Sequence, residues 1–212
     1  ARALITFEVT RTTLKPPSDT SLFVLATAKK LKPEIKAFLT PSPYIETQNA
    51  AIRSWSKELF GTKDTAWEKI EALYDGTRAK IEFRNGPLKG AAQSFKDGFG
   101  DKEELCSVFI CACRQNDVPA RMVWVEGHCY VEFYVEDSEG KGYWIPCNVA
   151  GEREFGGISP QDLLLDRQDL GRVHGEAAQT HAQQQAGELR VTRHLTTDRD
   201  GFAGLLASTD GL

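Results

Sequence analysis

The sequence has no apolar run close to the roughly 20 residues that a membrane-spanning helix needs, so we expect a soluble protein without a span. It also has no surplus of basic residues, because 26 Lys and Arg against 30 Asp and Glu give a formal net charge of −4. A nucleic-acid-binding face must neutralise phosphates, so this balance argues against a nucleic-acid partner. No internal repeat is visible, and 212 residues suit one compact domain or at most two small ones.

Cysteine is infrequent and confined to one part of the chain. The five cysteines are Cys106, Cys111, Cys113, Cys129 and Cys147. Five is an odd number and there is no CxxC motif, so we expect reduced thiols rather than a disulfide scaffold. A zinc site from His128 and the cysteines is disfavoured, because His128 and Cys129 are neighbours on a predicted strand and point to opposite faces. We therefore predict neither a metal nor a cofactor.

Methionine occurs once, at Met122, and the chain begins at Ala1. This suggests a processed or trimmed form from which any signal peptide has been removed. The compartment stays undetermined on this evidence, and export is one of the options.

The order of helical and strand-like patterns predicts an α+β fold in three parts. Residues 1–43 are expected to be an N-terminal extension with short strands at 4–9 and 21–28, interrupted by prolines, and a short helix is the alternative for 21–28. Residues 44–160 carry the periodic apolar patterns of a packed core. Residues 161–212 are expected to be a partly irregular C-terminal arm, because 171–190 hold almost no large apolar side chains.

Within the core, the periodicity predicts helices over 47–60, from about 64 to 81, and over 89–97. Asp64 is the expected N-cap of the second helix, and Asp101 of a fourth and strongly helical segment. The residues expected on the buried face of the second helix are Trp67, Ile70, Leu73, Tyr74, Thr77 and Ile81. Three strands should follow, at Ala120–Glu126, His128–Glu136 and Lys141–Pro146.

The stretch from Gly98 to Asn148 holds the residues best suited to chemistry. It places a helix N-terminus opposite antiparallel strands, with His128 near the start of one strand and Asn148 at the end of its neighbour. A nucleophile at a helix start benefits from the helix dipole, and free N–H groups there can stabilise an oxyanion. A histidine across the cleft can act as base, and an amide behind it can orient the ring.

Three sequence blocks in this stretch resemble a known family. They are GDKEELCSVFICACRQNDVPARMVW, GHCYVEFYV and GYWIPCNVAG. Their order and spacing are similar to the transglutaminase-like superfamily, a branch of the papain-like cysteine proteinase fold, over about residues 70–155. The resemblance implies a core of helices packed against an antiparallel β-sheet. It also implies a cleft for a peptide or protein.

The same resemblance casts doubt on the chemistry. An ungapped alignment from Pro119 back to Gly100 places Lys102 where the family has its nucleophilic cysteine. Lysine is no substitute for a thiolate in acyl transfer, because its amine is normally protonated and the amide it formed would not turn over. His128 and Asn148 match the family's histidine and aspartate, and an amide oxygen can still accept from imidazole. We therefore expect a domain that binds a peptide or protein without cysteine chemistry.

Two alternatives remain open at this stage. Cys106 lies four residues after Lys102 and could serve as nucleophile with His128 and Asn148 in an active cysteine protease or acyltransferase. That arrangement needs the cleft to shift by one helical turn, about 5–6 Å. Lys102 could also act as an amine nucleophile or as an acyl acceptor.

Overall fold

The computed structural model describes residues 14–125 and 128–159, and it describes the backbone of two further strands. These strands, Thr192–Thr197 and Ala203–Ser208, pair with each other in antiparallel fashion. The strand expected at residues 4–9 and most of the expected C-terminal arm lie outside the described residues.

The described elements confirm the α+β class. The helices are α1 Pro33–Lys36, α2 Ala50–Gly61, α3 Ala66–Lys80, α4 Ala91–Asp97 and α5 Lys102–Gln115, with a 3-10 turn at Ala37–Leu39 after α1. The strands are β1 Glu82–Phe83, β2 Phe99–Gly100, β3 Ala120–Val125, β4 His128–Glu136, β5 Gly142–Asn148 and β6 Glu154–Phe155 in the core, followed by the pair β7 Thr192–Thr197 and β8 Ala203–Ser208. Among the described residues no helix is both long and apolar enough to cross a bilayer.

The N-cap of α3 lies one residue later in the chain than expected. Thr65, not Asp64, is the N-cap, and its hydroxyl accepts a hydrogen bond from the N–H of Glu68. The Glu68 carboxylate in turn accepts from the N–H of Thr65, which completes a capping box. The prediction of Asp64 was wrong because the reciprocal Thr–Glu pair satisfies two backbone donors where a lone aspartate satisfies one. The buried face of α3 is as predicted.

Strands β3 to β6 form one antiparallel sheet in the order β3-β4-β5-β6. Burial alternates strictly along β4, so one of its faces belongs to the core and the other is half-exposed. The core face of β4 is formed by Cys129, Val131, Phe133 and Val135. The opposite face carries His128, Tyr130, Glu132 and Tyr134.

Helix α5 is the centre of the hydrophobic core. Every residue from Glu104 to Arg114 is buried, because the helix packs against α2 and α3 as well as against the sheet. Aromatic rings fill the space beside it: the Tyr74 and Phe109 ring centroids lie 6.0 Å apart, and those of Phe133 and Phe155 lie 5.2 Å apart. This packing fixes the N-terminal end of α5 relative to the sheet.

The strand expected at residues 21–28 was wrong. Only Val24 pairs, in an isolated bridge to Glu136 at the end of β4. Leu14 makes a second isolated bridge, to Ile158. These bridges attach the N-terminal extension to the core by backbone hydrogen bonds. Phe23 and Leu25 pack against the core, and this packing rather than strand pairing accounts for the apolar composition of 21–28.

Candidate functional site

Lys102 is the first residue of α5, and the chain in front of it is tightly hydrogen-bonded. The Asp101 carboxylate caps the helix by accepting from the N–H groups of Glu103, at 2.9 Å, and Glu104, at 3.2 Å. The buried Glu104 carboxylate accepts from the N–H groups of Asp101, at 2.9 Å, and Lys89, at 2.8 Å. The backbone N–H groups of Glu103 and Glu104 therefore already have acceptors within the protein.

The sheet register brings His128 and Asn148 to the same end and the same face of the sheet. Val131 pairs with Cys147, so continuing the register places Asn148 opposite Tyr130 and diagonal to His128. Tyr130 and His128 share the half-exposed face of β4. The start of β4 and the end of β5 therefore carry the two polar side chains that the sequence predicted as partners.

The first turn of α5 lies beside the start of β4. The carboxylates of Glu103 and Asp101 act electrostatically on the thiol of Cys129, the residue that directly follows His128. Cys106, in the second turn of α5, contacts Cys129 directly. The first two turns of α5 and the start of β4, which carries His128, are thus neighbours in the fold.

Asn148 is fully buried, and both its backbone and its side-chain amide make hydrogen bonds. Its carbonyl accepts from the Tyr74 hydroxyl at 2.7 Å, and the same hydroxyl accepts from the N–H of Glu154 at 3.0 Å. Its Nδ2 donates to the Glu154 carboxylate at 3.5 Å. Within the described part of the chain its Oδ1 has no hydrogen-bond partner. An amide acceptor of this kind can orient an imidazole, the role expected for Asn148.

Cys106 occupies the core. It is fully buried, and its Sγ donates to the carbonyl of Cys129 at 3.9 Å. The Cys129 Sγ lies 4.0 Å from the Cys106 Sγ. Cys129 is on the core face of β4, whereas His128 is on the other face. Cys106 therefore lies on the core side of β4, whereas the imidazole of His128 lies on the opposite side.

The other thiols are equally enclosed. All five cysteines are free and buried. Burial raises the pKa of Cys111 to about 12 and raises the pKa values of Cys113 and Cys147 above the ordinary range. The hydrogen bond with Cys106, together with burial, raises the pKa of Cys129. These four thiols are thus neutral near pH 7. Among the described residues no group of three or more His, Cys, Asp or Glu could hold a metal ion.

The carboxyl groups beside Lys102 have unusual pKa values. Burial, reinforced by the nearby Asp101 carboxylate, raises the pKa of Glu103 to about 7. Burial and the hydrogen bond with Asp101 likewise raise the pKa of Glu104 to about 7. The charge around Lys102 therefore changes near neutral pH, as these two groups release their protons.

Replacing Glu103 with Gln should change how stability depends on pH. Glu103 holds its proton to about pH 7 in the folded state but releases it near pH 4.5 when unfolded. The wild type therefore loses stability as the pH rises through this window, since the unfolded state sheds the proton first. Gln does not titrate. We therefore expect the free energy of unfolding of the variant, relative to that of the wild type, to rise by about 1 kcal/mol from about pH 5 to about pH 8.

Urea denaturation of both proteins at the two pH values checks this prediction. Glu139→Gln is the matched control, because it makes the same chemical change at an exposed position in the turn after β4. A difference between wild type and Glu103→Gln that stays constant with pH would contradict the raised pKa.

Sequence reasoning missed three residues that support this site. Tyr74 was assigned only to a buried helix face, yet its hydroxyl links Asn148 to Glu154. Glu154 was not singled out, and no local pattern distinguished it. Glu104 was not singled out either, although its spacing from Asp101, Asp-x-x-Glu, is a capping-box signal in the sequence.

Comparison with known proteins agrees with the α+β fold of this chain. Residues 53–149 match the model of the transglutaminase-like superfamily. A crystal structure from Cytophaga hutchinsonii, described as a "putative cysteine protease", is similar with a TM-score of 0.52 and 19% sequence identity. The match covers 66% of this chain and 50% of that chain, so this chain spans about half the length of that protein. No curated protein matches this chain.

The likeness to the solved structure concerns the fold, which is of the papain-like, transglutaminase-like type. The matched segment begins in α2 and ends just after Asn148, so it contains α5 and strands β3 to β5. Lys102, His128, Asn148 and Cys106 all lie inside it.

Proposed function

We propose that this transglutaminase-like domain has lost cysteine-based acyl transfer and binds an extended peptide, or an extended segment of a protein, at the Lys102–His128–Asn148 end of its sheet. One observation carries the proposal. The residue that begins α5 is a lysine, while all five cysteines of the chain are buried.

The burial of the thiols supports the loss of acyl transfer. A cysteine nucleophile must reach the substrate carbonyl and must react as the thiolate. Four of the thiols have raised pKa values, and Cys106 donates its hydrogen to a backbone carbonyl inside the core. This contact also argues against the alternative of an active enzyme with Cys106 as nucleophile, His128 as base and Asn148 as orienting residue.

The position of β3 supports an extended ligand. In the four-stranded sheet β3 is an edge strand, and its last residue, Val125, pairs with His128. An edge strand offers backbone N–H and C=O groups, which an extended peptide can pair with while neighbouring side chains select its sequence. The half-buried imidazole of His128 is a polar group suited to such selection.

Thiol labelling tests the chemical half of the proposal. We expect iodoacetamide to modify none of the five cysteines rapidly in the folded protein at neutral pH, and all five after unfolding. Peptide mapping by mass spectrometry gives the rate at each site. Rapid labelling of Cys106 that disappears in His128→Ala would contradict the proposal and favour the alternative.

Peptide binding tests the other half. Peptides selected from a random library on the folded protein should bind with a Kd measurable by fluorescence anisotropy, and His128→Ala should weaken binding at least about tenfold. Glu139→Ala is the matched control, because Glu139 follows the opposite end of β4 and should leave the Kd unchanged. Mass spectra of the incubated peptides should show neither cleavage nor transamidation.

Two results would contradict the binding proposal: selected peptides that bind wild type and His128→Ala equally, or a failure to select any peptide. Peptide turnover that His128→Ala abolishes would contradict the loss of catalysis.

A further inference from the structure

Two thiols face each other across the contact between α5 and β4. Cys106 in the second turn of α5 and Cys129 at the start of β4 have their Sγ atoms 4.0 Å apart. They are 23 positions apart in the sequence, and both are buried. A disulfide requires about 2.05 Å between the sulfurs, so closing this gap takes a movement of about 2 Å shared by two side chains and their backbone.

We propose that Cys106 and Cys129 form a reversible disulfide that joins α5 to β4 beside the candidate site. The oxidant is a peroxide. One thiolate attacks a peroxide oxygen, breaks the O–O bond and becomes a sulfenic acid. The second sulfur attacks the sulfenic sulfur, and the hydroxyl leaves as water. In total, two thiols and one hydrogen peroxide give one disulfide and two waters, and a dithiol reductant reverses the change.

The surroundings of the pair make this reaction selective rather than fast. Both thiols are enclosed, and the carboxylates of Glu103 and Asp101 disfavour a thiolate at Cys129. External thiols such as glutathione therefore react slowly with the pair, and reduction of the disulfide takes prolonged incubation with a dithiol, whereas each cysteine has the other as its nearest reaction partner. Once formed, the bond closes a loop between two elements of the core, which stabilises the folded state against the unfolded chain.

The consequence for the site follows from the chain connection, and this step rests on the function proposed above. His128 directly precedes Cys129, so drawing Cys129 toward α5 moves the start of β4 and the imidazole with it. The first turn of α5 lies beside the same part of β4, since Glu103 and Asp101 act electrostatically on Cys129. We expect the oxidised protein to bind the selected peptides about tenfold more weakly than the reduced protein.

The test begins with the reduced full chain treated with hydrogen peroxide. The remaining thiols are then alkylated under denaturing conditions, and the digest is analysed by mass spectrometry without reduction. We expect a linked peptide pair containing Cys106 and Cys129, and a Tm higher by about 5–10 °C that dithiothreitol reverses. Oxidation at other cysteines while Cys106 and Cys129 remain unlinked would overturn the proposal.

Variants separate the pair from general oxidation. Cys106→Ala and Cys129→Ala should each lose the rise in Tm, while Cys113→Ala, a buried cysteine of the same helix, should keep it. If a variant fails to fold, the linked peptide pair of the wild type still shows whether Cys106 and Cys129 form the disulfide.

Peptide affinity of the two redox forms then tests regulation. Complete linkage with an unchanged Kd would overturn the regulatory role. A reduced protein that binds no selected peptide would contradict the proposed function, while the linked peptide would still decide whether the disulfide forms.

Discussion

Lys102→Cys should react with iodoacetamide at least about 100-fold faster than any native thiol of this protein, because the new thiol is half-exposed and the five others are buried. It also lies at the positive end of a 14-residue helix, which favours the thiolate. The neighbouring Glu103 carboxylate acts in the opposite direction once it ionises near pH 7. Adding Glu103→Gln should therefore lower the pKa of the new thiol further, as read from the pH dependence of the labelling rate.

Lys57→Cys is the matched control for this experiment. Lys57 is exposed in the interior of α2, so a cysteine there is accessible but gains nothing from a helix N-terminus. With an activated ester, we expect an acyl adduct on Lys102→Cys that forms more slowly in Lys102→Cys/His128→Ala and is no faster than background on Lys57→Cys. A new thiol as unreactive as the native five would contradict the placement of Lys102 at an open nucleophile position.

Arg114→Met is expected to lower the free energy of unfolding by about 3 kcal/mol. The buried guanidinium donates two hydrogen bonds to the carbonyl of Ala120, at 3.1 and 2.9 Å, and others to Thr40 and Ser42, at 2.7 and 2.9 Å. It therefore holds the start of β3 and the N-terminal extension against α5. Methionine fills a similar volume, but it leaves these acceptors without a donor.

Urea denaturation measures the effect. Arg114→Lys keeps the charge but not the planar fork, so it should lose less stability than Arg114→Met. Lys57→Met, an exposed substitution, should change the free energy by less than about 0.5 kcal/mol. A loss for Arg114→Met within the range of this surface control would show that the hydrogen bonds of Arg114 contribute little.

Much of the fold could be predicted from the hydrophobic periodicity and from the helix-cap residues. The buried face of α3, the start of α5 at Asp101 and the alternation along β4 were all predicted, because each depends on residues close together in the chain. The errors were also local in origin. Asp64 was preferred to Thr65, and residues 21–28 were given a strand although only Val24 pairs there.

The candidate site was only partly predictable for a different reason. The resemblance brought Lys102, His128 and Asn148 together by their order along the chain. It gave no indication that Tyr74 supports Asn148 across 74 positions, or that Glu154 lies beside the Asn148 amide. Such partners meet only after the helices have packed on the sheet.

The amino-acid order alone determined that a lysine begins α5 and that His128 and Asn148 belong to neighbouring strands, because helix starts and strand alternation are short-range properties. Only the tertiary structure decided the position of Cys106. Any cysteine on that helix could have faced the cleft or the core, and the packing of α5 on β4 turned this one toward Cys129. Burial depends on which surfaces meet, so no local pattern could have settled whether that sulfur is a nucleophile or part of the core.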